Sequence, residues 1–548
     1  MVAKWQTVAK KAQDHRDKSI AEVQPAIPEV PAELPLDVTG LPKELLNEKE
    51  VSITEKPAEE LVEALASGKL TSVEVTSAFL RRAGLAQKLA NCITELLSKA
   101  ALDRAKYLDD YLAKEGKPIG PLHGLPISVK EHIPMKGLGI NAGYIAWWDN
   151  IAEDDAAILK LLWKAGAVFY ARTTQPQLLM HLETSSNLYG DTVNPFNRTL
   201  TSGGSSGGEG SLIGLRGSCL GIGTDIGGSI RSPAANNGLY GLRPTTFRLP
   251  VAGWVASMRG SEHILGVIGP LSTSLDGVKL FMKTLIDQQP WKIDQSLLPI
   301  PWTISSQKPP TPDQKLKVAI LWDDGVVHPH PPVIRALKEI SAKLSTNPSI
   351  SLVDWTPYQH DRAWTIISSL YFADGGMEDR ATLQASGEPR LPLSDFILTD
   401  NPNVRTLTIP EVWDLTYQRD TYKQEYLNHW NKTATGVNPD GTPEGTVDVI
   451  ICPVGPGAAP PLGQSKYWGY TSQWNLLDYP ALIFPVTKVD QEKDTVETGY
   501  EPRNEQDAFN YELCKFSSLS LSLSLAEQKR NKLPHLDIDI DLFPFLEK

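Results

Sequence analysis

Residues 1 to about 50 are polar and carry prolines at 25, 28, 31, 35 and 42, so they predict a surface-wrapping arm with no long element. From Pro57 the spacing turns helical. Leu61, Val62 and Leu65 share a face and Gly68 closes the helix; Thr71 and Glu74 then form a T-x-x-E box opening a second helix through Arg82. A third helix is expected from about Thr94 to Leu112. Further on, a short β-prone run, Ile127 to Val129, delivers Lys130 at its end. A helix at 155–165, closed by Gly166, leads into a strand at 167–171.

Strand-like and helical patterns keep alternating. KVAILW, VIRALKEISAKL and ISLVDW read as a βαβ unit, and VDVIICPVGP and ALIFPVTKV as further strands. Residues 360 to 430 read as mainly helical, with Trp364, Tyr371, Trp413 and Tyr417 as packing aromatics. The expected fold is α/β: one large domain over residues 51–512, a mixed twisted β-sheet covered by helices on both faces. No internal repeat is found.

One stretch breaks the periodic reading. Thirteen glycines fall within the 39 positions from Gly203 to Gly241, against 41 in all 548 residues. A solvated Gly/Ser linker would not contain Leu212, Ile213, Leu215, Leu220, Ile222 and Ile226, nor the charges of Glu209, Arg216, Asp225 and Arg231. A phosphate cradle is disfavoured because no GK[ST] follows and GxGxxG does not fit. What remains is two serine sites, Ser205-Ser206 and Ser229, on tight turns whose N–H groups can face an oxyanion.

Composition narrows the class. The net charge of −12 argues against nucleic acid or an anionic membrane as partner. Cys92, Cys219, Cys452 and Cys514 are scattered without a framework, which reads as reduced thiols, with Cys452 an inert one in an apolar run. No signal-peptide core and no run of 18 apolar residues is present, so a cytoplasmic protein is expected.

The blocks GGSSGGEG at 203–210 and GTDIGGSIR at 223–231, with GLPISVK at 124–130 upstream, resemble the amidase signature family. The resemblance runs from about Ile53 to about Glu512 and within the family is strongest to fungal acetamidase-like members. It implies the amidase signature fold and hydrolysis of small linear carboxamides, with a fatty-acid or aryl amide hydrolase and an inert scaffold as alternatives.

Amide cleavage needs a nucleophile, an oxyanion site and a proton donor. Ser229, after Ile226-Gly227-Gly228, is the nucleophile candidate on its turn, and the resemblance assigns it acylation with those N–H groups holding the oxyanion. No histidine triad is evident; His123 and His132 read as structural, and His328-Pro-His330 lacks further metal ligands. Lys130, flanked by Ile127, Val129 and Ile133, is the base candidate, since burial disfavours its ammonium. By resemblance Ser205, beside a cis peptide bond, relays the proton between Ser229 and Lys130; Ser206 is excluded by resemblance alone. By the same resemblance Leu179 matches a position that lines substrate in the family, with a core residue as the alternative. Asp225 and Arg231 could form an acid/base pair but read as an ion pair locking the loop. No metal or cofactor is expected. The expected partner is a small-molecule amide, with a homodimer left open.

After GYEPRNEQDAFNYEL the family's closing strand is missing. Leu519, Leu521, Leu523 and Leu525 alternate with serines as in a half-buried strand, and residues 513–548 are expected to be an atypical tail from an altered reading of the gene.

Overall fold

Seven strands form the sheet that carries the site, in the order Ile93–Leu96, Val168–Thr173, Pro126–Lys130, Leu220–Asp225, Val267–Ser272, Tyr240–Arg243, Ala481–Ile483. The computed structural model describes residues 4–303 and 311–522. Pro126–Lys130 runs parallel to both neighbours, whereas the four outer pairings are antiparallel. The sheet is mixed, open and covered by helices, and the chain forms a single large domain with the amidase signature fold.

Parallel strands bury both faces, and every residue of Pro126–Lys130 and Leu220–Asp225 is buried. Val129 pairs with Ile222, so Lys130 and the Asp225 turn leave the sheet at the same edge. Ligands in open α/β sheets collect at that carboxyl edge.

Local signals hold where they were strongest. Thr71 and Glu74 make the reciprocal capping box of a helix over Ser72–Ala90, longer than the predicted one because its whole inner face packs into the core. Elsewhere tertiary packing overrides the pattern. The N-terminal arm contains an 18-residue helix, Lys4–Ala21, which fits ahead of the first proline and buries Ala9 and Ala12. The helix expected from Thr94 starts at Ser98, because Ile93–Leu96 is an edge strand paired with Val168–Thr173.

The βαβ unit does not join the large sheet. Ile350–Asp354, Leu316–Ile320 and Val449–Ile451 make a separate parallel sheet with its own apolar cluster around Val318, Leu337 and Val449. Trp413 and Tyr417 are exposed, at 69% and 73%, rather than buried in the core, whereas Tyr371 is buried. Leu519 and Leu521 lie in a helix, Glu505–Ser522, rather than a strand. Leu523, Leu525 and the rest of the tail fall outside the described residues. Among the described residues no helix is long and apolar enough to cross a membrane.

Candidate active site

Lys130 ends its strand fully buried, with Nζ 2.7 Å from Ser205 Oγ and 3.0 Å from Thr224 Oγ1. Burial pushes its pKa down to about 7, against the pull of the Asp225 and Glu209 carboxylates. The amine is therefore substantially neutral near physiological pH.

Ser205 follows Gly204 across a cis peptide bond. The chain passes so close to Glu183 here that a Cβ on Gly204 would lie 2.2 Å from its carbonyl oxygen, which restricts this position to glycine. Ser206 lies on the other side of the turn. Its N–H donates to the Ser229 carbonyl at 3.1 Å, and its Oγ accepts from the Thr224 N–H at 3.3 Å. The two serine sites, 23 residues apart in sequence, are thus joined through backbone.

The Asp225–Ser229 turn is built around a buried carboxylate. Asp225 accepts from Gly228 N at 2.9 Å, Ile230 N at 3.1 Å, Arg231 Nε at 3.0 Å and Asn475 Nδ2 at 2.9 Å. Burial alone would raise its pKa, but the Arg231 guanidinium and these donors hold it well below the usual carboxylate range. The Arg231–Asp225 pair locks the loop. One expectation is corrected: the Gly228 N–H faces Asp225 rather than open space, because a buried carboxylate must fill its acceptor sites. Among the described residues none accepts from the N–H of Ile226, Gly227 or Ser229.

A second layer comes from far along the chain. Thr471 Oγ1 donates to the Gly227 carbonyl at 2.6 Å, and Tyr371 Oη donates to the Ile226 carbonyl at 2.8 Å. Gly228 sits at φ +133° with Thr471 packed against it, so a side chain is excluded. Tyr371 and Trp468 cover Gly227. Leu179 belongs to the same apolar cluster as Ile226, Tyr371 and Trp468. It and Leu178 are both left-handed, at φ 62° and 67°, a strained pair of the kind that gathers at functional sites.

Three buried groups escaped the sequence reading. Glu209, taken there only as a charge inside the glycine run, accepts from Ser128 Oγ at 2.5 Å and Thr173 Oγ1 at 2.8 Å. Burial pushes its pKa up to about 7 against those hydrogen bonds and the Lys130 charge. Thr224 lies inside the GTDIGGSIR block, where the sequence reading gave it no role. His132, read as structural, lies with Nε2 3.0 Å from Thr224 Oγ1, while His123 accepts from the Ile119 N–H and takes no part in the site. Cys452 fits its inert reading, since burial pushes its thiol up to about 12.

The family described as Amidase matches residues 74–523, more than half of the chain. The chain belongs to the amidase family. A Schizosaccharomyces pombe relative that carries an amidase name is 51% identical over 515 residues, covering 93% of each chain. An acetamidase of Emericella nidulans is 43% identical, covering 86% of this chain and 85% of its own. Among solved structures, a fatty acid amide hydrolase superposes with a TM-score of 0.85 at 35% identity, covering 93% of this chain and 89% of that one. The chain is accordingly an amidase-family hydrolase, and its Gly203–Arg231 block lies within the matched region.

Proposed function

We propose that the chain hydrolyses small linear carboxamides of the acetamide kind through an acyl-enzyme on Ser229. The observation that carries this reading is the buried Lys130 amine, 2.7 Å from Ser205 Oγ and beside the Ser229 turn. Neutral Lys130 takes the Ser205 proton as Ser205 takes that of Ser229. The Ser229 oxygen then bonds to the amide carbon, and the carbonyl π pair moves to oxygen. The N–H groups of Ile226, Gly227 and Ser229 are suited to stabilise that oxyanion. Collapse breaks the C–N bond while the relay returns the proton to the departing amine. Water, activated by the same relay, releases the carboxylate and frees Ser229.

The acetamidase relative supports a short acyl group. The likeness to a fatty acid amide hydrolase favours a second reading, a longer acyl pocket on the same residues. A panel from acetamide to long-chain amides separates the two: kcat/KM highest for short amides is expected, and a steady rise with chain length would replace the first reading by the second. Ser229→Ala should abolish both turnover and labelling by an active-site serine probe, while Ser206→Ala keeps most activity. Equal loss from both would refute the relay, and a wild-type protein that takes no label would be an inert scaffold.

A further inference from the structure

Four buried groups form an unbranched chain behind the site: Ser205 Oγ, Lys130 Nζ, Thr224 Oγ1 and the His132 ring, joined at 2.7, 3.0 and 3.0 Å. The ring's other nitrogen, Nδ1, lies 2.7 Å from the Val255 carbonyl, and the Val255 N–H donates back to the His132 carbonyl at 3.2 Å. A carbonyl oxygen can only accept, so Nδ1 carries the proton. The ring is 2% exposed, and burial together with the nearby Lys130 and Arg172 charges pushes its pKa down to about 3, so it stays neutral. Nε2 is therefore an acceptor, and the Thr224 hydroxyl must spend its single proton on it. Only lone pairs of Thr224 Oγ1 are then left for Lys130, which has to donate.

We propose that His132 is a positioning residue: through Thr224 it commits one Lys130 N–H and so turns the amine's lone pair toward Ser205. A neutral amine has two hydrogens and one lone pair, and rotation about its last bond would otherwise leave that pair free to face either hydroxyl. Without an acceptor at 132, the Thr224 hydroxyl can donate to the amine and compete with Ser205 for its lone pair. The charged groups that bear on Lys130 from neighbouring elements are Asp225 and Glu209, and Arg172 bears on His132; none of them takes the Thr224 proton.

This inference rests on Lys130 as the base, and its test keeps the two apart. Asparagine at 132 places an amide where Nδ1 lies and can keep the Val255 contact, but it ends one bond short of Thr224; glutamine reaches the Nε2 position. His132→Asn and His132→Gln are compared in the wild type and in Thr224→Val, with melting temperatures recorded for each. In the wild-type background His132→Asn should lower kcat about tenfold to a hundredfold with KM nearly unchanged. Its acid limb of kcat/KM should move to lower pH, because the competing Thr224 proton favours the neutral amine. His132→Gln should stay within about threefold of wild type, and in Thr224→Val the asparagine change should cost less than about twofold. Equal losses from asparagine and glutamine, or the same loss in both backgrounds, would overturn the proposal. Activity surviving in Lys130→Met would instead overturn the underlying reading of Lys130.

Discussion

Lys130→Met should destroy activity and, at neutral pH, stabilise the fold. Holding a lysine at a pKa of about 7 instead of its ordinary 10.5 costs the folded state about 5 kcal/mol at and below about pH 7, a cost that shrinks to nothing as the pH rises to 10.5. Methionine fills most of the same volume with no charge to desolvate. It gives up the contacts to Ser205 and Thr224, each worth about 1 kcal/mol. The net gain at pH 7 is about 2 to 3 kcal/mol, or roughly 2 to 3 °C for a chain of this length. The sign depends on pH. Between about 7 and 10.5 the unfolded lysine binds a proton that the folded one does not, so wild-type stability rises relative to the variant across that window. Above it the penalty is gone and only the lost hydrogen bonds count, so the variant becomes the less stable protein. Thermal melts of both proteins in parallel, from pH 6.5 to 10.5, test this, with Glu209→Gln placed in both because that carboxyl also titrates near 7 and feels the Lys130 charge; the remaining titrating groups are then common to both. A variant that melts below wild type at pH 7, or a difference that does not change with pH, would refute a lysine held largely neutral by burial.

Three further outcomes follow from the same geometry. Wild-type kcat/KM should rise with pH through about 7 as Lys130 loses its proton, and Lys130→Arg should be inactive throughout, since arginine does not deprotonate; a wild-type-like pH–rate profile in that variant would remove Lys130 as the base. Asp225→Asn leaves Arg231 buried without its anion and should cost about 3 to 5 kcal/mol, read as a drop in denaturation midpoint; an unchanged midpoint would deny that the pair locks the turn. Gly204→Ala forces a methyl against the Glu183 backbone and should cost about 3 kcal/mol together with activity, whereas a fully active, equally stable variant would show that the turn can open.

What could be read along the chain was whatever depends on neighbours in sequence. The Thr71–Glu74 box acts within one turn of helix, and the run of glycines between Gly203 and Gly241 records where backbones approach too closely for side chains. Lys130 could be flagged because Ile127, Val129 and Ile133 around it mark a buried strand, and burial is what drives its ammonium toward neutrality. The βαβ rhythm was visible too, but not the sheet it would join, because strand pairing is settled by which edges meet and not by the strands' own pattern. The polar helix Lys4–Ala21 and the exposed Trp413 and Tyr417 misled for a related reason: composition does not say which face finds a partner. The tertiary structure alone decided the proton chain behind Lys130. Thr224 and His132 are 92 residues apart, and His132 and Val255 123 apart. No local signal marks a histidine as an acceptor rather than a base. Its role is set by one carbonyl on one side and one hydroxyl on the other, and only the fold brings those three groups together.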